Sequence, residues 1–488
     1  MGLGCQAERV DAYEQRNSRY RGVVLTRHPS SWGVPLREHS VIRRTVVVAG
    51  GRFAPGHLGE LTQVVPFEMV DDVLEMTGAV QARIRDLPSR VVVYLLLAAG
   101  LFAECGYRQV WARLTSGLSG LAVAVPTSSA LAQARRRVGV KPLAALFALI
   151  AGPAAGAQRW RGLLVCAIDG TTMSVPDSPA NLTVYGRQTG SHGGSGYPLL
   201  RLVAIVACGS RTVIDAVFGT IDVAEIRYAP QLFRCLRPGM LLLADRNFAV
   251  KDLAEQIHAT GADLLIRCKT GRNLPAIRRY RDGSWLALLG TVTVRVIDAE
   301  ITVSTNGRPH HIGQYRLITT LTDHHRFGAL DLITLYHQRW EIETSFLELK
   351  STTLGGRVLR ARTPTGIAQE VYALLTTYQA LRLAMTDATD SDPHTDPDRA
   401  SFTIALNTAR DQVIHAAAVI AGTVIDLIGA IGRAVLHDPL PERRTRISPR
   451  VVKRAISKHR AKGDIDRTNH QAAITITITT QSTTSPEP

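Results

Sequence analysis

Residues 161–172 read R-G-L-L-V-C-A-I-D-G-T-T. The apolar run Leu163 to Ile168 follows a glycine and ends at an acid. A short apolar run bounded by turn residues reads as a strand buried on both faces. That strand delivers Asp169 at its end, on the rim of a sheet, where active sites collect. Residues 239–248, G-M-L-L-L-A-D-R-N-F, repeat the arrangement: strand Met240 to Ala244 delivers Asp245. Leu199 to Ala207 and Thr212 to Phe218 read as further strands. Ala224 to Leu236 reads as an amphipathic helix and Lys251 to Thr260 as a second helix, with strand Asp263 to Arg267 after it. Three strands, helix, strand, helix, strand is the order of an α/β domain, a mixed sheet flanked by helices.

A third acid comes from Leu332 to Lys350, L-I-T-L-Y-H-Q-R-W-E-I-E-T-S-F-L-E-L-K, which has no Gly or Pro and predicts one helix of about five turns. At ~100° per residue, Tyr336, Arg339, Glu343 and Lys350 fall within roughly 60° of one another. A phenol, a guanidinium, a carboxylate and an ammonium on one face suit a site that holds a divalent metal beside a phosphate. Ordinary ion pairing on a solvated face, with Arg339 and Glu343 four apart, is the plainer reading of the helix alone. Asp169, Asp245 and Glu343 together form an oxygen-ligand set for Mg²⁺ or Mn²⁺. In two-metal chemistry such a set activates a hydroxyl or water and stabilises the leaving oxygen on phosphorus.

The spacing Y-x2-R-x3-E-x6-K, filled by Tyr336, Arg339, Glu343 and Lys350, resembles the signature of the insertion-element-four type of DDE transposases. D-G-T-T at Asp169 and A-D-R-N-F at Asp245 resemble the first two acidic motifs of that family. Tyr315 to Asp323 and Leu359 to Gly366 resemble its flanking segments, and the likeness runs over roughly Gly56 to Met385. The resemblance implies an RNase H-like core in which the first and fourth strands are neighbours. Asp169 and Asp245 would then meet although 76 positions separate them. It implies two Mg²⁺ ions on Asp169, Asp245 and Glu343, with Tyr336, Arg339, Lys350 and Arg246 near the phosphates of a DNA terminus. It also implies nicking, a hairpin in some relatives, and strand transfer into target DNA by a homodimer bridging two ends. A plain nuclease or resolvase, or a DNA-binding remnant without activity, would use or keep the same acids and remain alternatives.

The charge balance agrees. The 488 residues carry a formal net charge of +16 and a pI near 10, which favours a polyanionic partner. The expected partner is double-stranded DNA, with no membrane and no small-molecule substrate. The longest apolar run, the 13 residues Val91 to Ala103, is too short to span a bilayer and reads as a buried helix. Six scattered cysteines show neither CxxC nor a zinc pattern, as for reduced thiols in a cytoplasmic protein. The pairs His310–His311 and His324–His325 are poor metal ligands, since neighbours on a strand point to opposite faces.

Along the chain, residues 1–54 read as a loose extension and 55–158 as a helical DNA-binding domain. There P-T-S-S-A-L-A-Q-A-R-R-R-V-G predicts a helix capped by Ser128 and ended by Gly139. Arg135, Arg136 and Arg137 at its exposed end would meet DNA, or form an ordinary basic surface. Residues 159–386 read as the catalytic domain, with a β insertion at about 271–323. Trp285 sits at an expected turn of that insertion; it either stacks on a base flipped from a DNA terminus, as in relatives, or covers a small core. Arg357, Arg360 and Arg362 would follow a phosphate backbone. Residues 387–400 read as a linker, 401–440 as a helical segment and 441–488 as a basic tail. Its Arg443 to Lys462 would bind phosphate. The Ile/Thr alternation near 473–480 receives no assignment.

Overall fold

The computed structural model describes residues 56–441, apart from 84, 119–121, 158, 188–195, 306–307, 393 and 416–428, together with residues 472–479. The expected N-terminal extension and the basic stretch Arg443 to Lys462 lie outside the described residues.

Among the described residues five helices come first: α1 (Phe67–Met76), α2 (Ser89–Leu101), α3 (Tyr107–Thr115), α4 (Ser128–Val138) and α5 (Lys141–Ile150). The long apolar run becomes α2. Every residue from Val91 to Leu101 is buried, because a helix apolar on all sides must sit at the centre of a layer. In α4 the cap is Thr127, one residue before the expected Ser128: its Oγ1 accepts from the Ala130 N–H at 3.1 Å. Gly139 ends α4 with φ of 71°, a conformation that a Cβ disfavours.

The sheet begins with β1 (Arg159–Trp160) and β2 (Leu163–Ser174), followed by α6 (Pro179–Tyr185), β3 (Leu199–Ala207) and β4 (Val213–Thr220). Then come α7 (Glu225–Tyr228), a 3₁₀ stretch Ala229–Cys235, β5 (Met240–Ala244), α8 (Lys251–Ala259) and β6 (Asp263–Cys268). The expected single helix Ala224 to Leu236 is broken because Pro230 has no N–H to continue an α-helical ladder. The strands β7 (Arg278–Arg279), β8 (Trp285–Leu289), β9 (Val292–Thr305) and β10 (Arg308–Thr319) follow. They continue the same sheet rather than forming a separate body. Its order is β4-β3-β2-β5-β6-β10-β9-β8-β7, with β10 covering the edge of β6. Among the described strands only the pairs β2–β5 and β5–β6 are parallel.

After the sheet, the glutamate region is not one helix. It runs as α9 (Ala329–Tyr336), a 3₁₀ turn His337–Arg339, α10 (Trp340–Leu347) and a π-helical stretch Glu348–Thr353. Neither Gly nor Pro marks these changes of winding, and Tyr336 and Lys350 contact the sheet on either side of α10. The 28-residue α11 (Pro364–Ser391) follows and spans about 42 Å at 1.5 Å per residue. It takes in the first part of the expected linker, and a 3₁₀ turn at Pro397–Arg399 lies in the remainder. Beyond it lie α12 (Phe402–Ile414) and α13 (Gly429–His437). The unassigned Ile/Thr stretch forms β11 (Ala472–Ile478), antiparallel to β9.

Alternation along β2 sorts its side chains into two cores. Leu163, Val165 and Ala167 share one with α2, α11 and the other N-terminal helices, while Leu164, Cys166 and Ile168 face α7, α8 and the 3₁₀ stretch. The N-terminal helices therefore merge with one face of the sheet. The two helices approach closely where α2 meets α11: a Cβ on Gly100 would lie 2.5 Å from Thr377 Oγ1. That hydroxyl is already held by the carbonyls of Ala373 and Leu374. Gly100→Val is expected to destabilise the protein by about 2–3 kcal/mol through overpacking, despite its better helix propensity. Urea unfolding measures the difference.

Candidate active site

Backbone register assembles the first two acids. β2 and β5 run parallel, and their last paired residues are Ile168 and Ala244. Asp169 and Asp245 are the next residues, so both carboxylates leave the sheet at one level. Asp169 is not at the end of its strand as expected, because β2 continues to Ser174 along β3. It is the parallel partner that stops. Asp245 Oδ1 accepts from the Asn247 N–H at 2.8 Å, and Asp169 Oδ1 from the Gly170 N–H at 2.8 Å.

The glutamate region closes over this rim. The Tyr336 hydroxyl donates to the Ala244 carbonyl at 3.0 Å, tying the end of α9 to the residue before Asp245. Arg339 lies between two acids, with Nη1 3.6 Å from Asp169 Oδ2 and Nη2 3.2 Å from Glu343 Oε1. Its Nε is buried with no hydrogen-bond partner. Lys350 Nζ donates to Thr171 Oγ1 at 3.1 Å, two residues beyond Asp169 on the same face of β2. The expected convergence of Arg339, Glu343 and Lys350 thus survives the overwound and underwound turns.

Gly170, beside Asp169, has a local reason. A Cβ there would lie 2.4 Å from the Glu225 carboxyl carbon. Glu225 opens α7 on the other face of the sheet and pairs with Arg201 at 3.2 Å. The sequence reading did not include it; its one signal is an acid just after the fourth strand. Burial drives the Asp169 carboxyl up to about 7, with the charges of Asp245 and Glu225 adding to the rise and Gly170 and Arg339 opposing it. Burial also raises the Glu225 carboxyl, with Arg201 opposing and Asp245 adding. Burial works against the Arg339 charge, but Tyr336, Asp169, Glu343 and Asp245 outweigh it and hold the guanidinium more firmly protonated than usual.

Several expected contacts lie elsewhere. Trp285 opens β8 and is 3% exposed, its Nε1 donating to the Leu274 carbonyl at 3.0 Å. The turn falls earlier, at Asp282–Gly283, and Trp285, Ala287 and Leu289 alternate inward, so the indole has no open face for a base. The Tyr336 hydroxyl is engaged by the Ala244 carbonyl. Arg360 pairs with Glu370 at 2.8 Å and donates to the carbonyls of Ala99 and Cys105, which removes it from any phosphate track. Arg135 stacks on the Tyr107 ring at 3.7 Å, whereas Arg136 and Arg137 are exposed, as is Arg246 beside Asp245. His324 stacks on Tyr280 and lies tilted against the His325 ring.

The donor set fits a divalent cation in kind: carboxylate oxygens at a sheet rim, already neutralised in part by a buried cation. Among the described residues no three His, Cys, Asp or Glu side chains converge on a common metal position as they stand. The Arg339 guanidinium lies between Asp169 and Glu343.

Residues 55–148 match the family described as insertion element 4 transposase N-terminal, and residues 160–379 match the transposase DDE domain. The chain belongs to the insertion element 4 type of DDE transposases. It is 28% identical over 406 residues to transposase InsG for insertion sequence element IS4 of Escherichia coli (strain K12), covering 79% of this chain and 90% of that protein. A cryo-EM structure of the piggyBac transposase synaptic complex with hairpin DNA aligns over 79% of this chain and 85% of its own, at 10% identity and a TM-score of 0.40. DNA cleavage and strand transfer, dependent on a divalent metal, is the general activity of the DDE domain. Among the described residues no helix is long and apolar enough to cross a membrane.

A carboxyl raised to about 7 keeps its proton in the folded protein until the pH passes that value, and a metal ligand must lose it. Affinity for a divalent cation is therefore expected to fall by about tenfold per pH unit below neutrality and to level off above it. Calorimetric titration of Mn²⁺ between about pH 5.5 and about pH 8.5 tests this, and Asp169→Asn should flatten the profile.

Proposed function

We propose that this is a bacterial cut-and-paste transposase that binds the terminal inverted repeats of its own element and acts on them through Asp169, Asp245 and Glu343. The observation that carries the reading is the meeting of Asp169 and Asp245 at the end of the β2–β5 pairing, with Arg339 bridging Asp169 to Glu343. Two Mg²⁺ ions, or Mn²⁺ in their place, would be held by these three carboxylates and would supply an activated water or 3′-hydroxyl and stabilise the leaving 3′-oxygen.

The other residues act on the DNA. Arg339 grips a terminal phosphate with a guanidinium that has one unsatisfied buried N–H, and an incoming phosphate draws it away from the two acids. Lys350, on Thr171, adds a point charge beside the same strand, and exposed Arg246 stands at the rim. Tyr336 acts through the backbone, fixing α9 to the residue before Asp245. Arg136 and Arg137 on α4 meet the DNA backbone away from the cut. A homodimer in the cytoplasm, at the nucleoid, would bring two ends together.

The test is cleavage of a labelled duplex carrying the element's flanking repeat, with and without Mg²⁺. Wild type is expected to cut at the repeat boundary only with metal, and Glu343→Gln to bind the duplex without cutting. Cutting that ignored the repeat would favour a nuclease, and binding without cutting by wild type an inactive remnant. In the same assay without metal, Arg136→Ala/Arg137→Ala should weaken binding and reduce the slope of log affinity against log salt by about 2, one phosphate contact for each arginine.

A further inference from the structure

The back of the glutamate helix carries a second polar face. Glu341 and Glu348 are seven positions apart and share one side, roughly 200° from Glu343 for Glu341. Both are buried, and both receive Arg211, which reaches them from the turn between β3 and β4 and is itself only 3% exposed. Its Nε pairs with Glu341, its Nη1 lies 3.4 Å from Glu348 Oε1, and its Nη2 lies 2.7 Å from Asp398 Oδ1. We propose that Arg211 is a positioning residue of the active site: it clamps the back of α10 so that Glu343 and Lys350 are presented to β2. The proposal rests on the reading of Glu343 as a catalytic ligand.

Three observations support it. First, α10 has eight α-helical residues between a 3₁₀ turn and a π-helical stretch, too short a ladder to hold its own orientation. Tertiary contacts must set the angle at which Glu343 faces Asp169. Second, the clamp grips both ends of that helix. Cys208, in the same turn as Arg211, lies 3.6 Å from the Gln338 carbonyl before α10. Glu348 after it accepts from the Tyr378 hydroxyl at 2.9 Å and pairs with Arg382 of α11. Third, Arg211 occupies φ of 57°, where glycine is the unstrained choice, so the turn keeps a side chain there at a conformational cost. Arginine suits the place because its planar fork addresses three carboxylates at once, which an ammonium does not.

Arg211→Lys keeps the charge and removes the fork; Glu341→Gln removes one gripped carboxylate with almost no change of shape. Each full-length variant would be compared with wild type by thermal unfolding, by repeat binding without metal, by single-turnover cleavage against Mg²⁺ concentration, and by calorimetric Mn²⁺ binding without DNA. Both are expected to remain folded and to bind the repeat as wild type does. Their cleavage rates at saturating DNA should fall by about 10- to 100-fold, and more metal should be needed for half-maximal rate and for Mn²⁺ binding. Wild-type cutting with unchanged metal dependence in either folded variant would overturn the clamp. So would a loss of rate that merely follows the loss of folded protein, with metal dependence unchanged. If wild type itself failed to cut the repeat, the functional reading would fall, while weakened Mn²⁺ binding in the variants would still uphold the clamp and unchanged binding would refute it.

Discussion

Parallel pairing of β2 with β5 is the constraint on which the site depends. Hydrogen bonding between these backbones fixes where the shorter strand stops, and so sets Asp169 and Asp245 at one level. A slip of one residue would turn Asp169 to the opposite face and send its neighbours into the wrong core. Both cores resist that slip, because Leu163, Val165 and Ala167 are committed to one and Leu164, Cys166 and Ile168 to the other.

Bringing acids together carries an electrostatic cost. Two like charges about 4 Å apart at an effective dielectric near 20 repel by roughly 4 kcal/mol. The protein offsets this with Arg339, which stands between Asp169 and Glu343, while burial first and the neighbouring acids second raise the Asp169 carboxyl. On the proposed function, a cation and a phosphate arriving together would take over that task.

Helices from both ends of the chain support this arrangement as one body. α11 runs through the shared core, and its polar side chains serve the elements around it. Gln369 caps the end of α4 through the carbonyls of Arg135 and Gly139, Glu370 fixes Arg360 against the end of α2, and Tyr378 and Arg382 hold Glu348 behind α10. The helical region that would meet DNA and the helix that carries Glu343 therefore share a rigid support.

The strands of the core, both aspartates, the signature of Tyr336, Arg339, Glu343 and Lys350, and the family were legible in the residues. Each rests on local pattern: apolar runs that stop at an acid, or polar side chains at helical spacing. Tertiary packing decided what local pattern does not encode. It overwound and underwound a helix with no Gly or Pro, joined the insertion to the main sheet, recruited β11 from a polar tail, and drew Arg360, Tyr336 and Trp285 into internal bonds. A long side chain with polar atoms reads the same in sequence whether it meets a phosphate, a carbonyl or a carboxylate. Which it meets depends on the elements that surround it, and these come from distant parts of the chain.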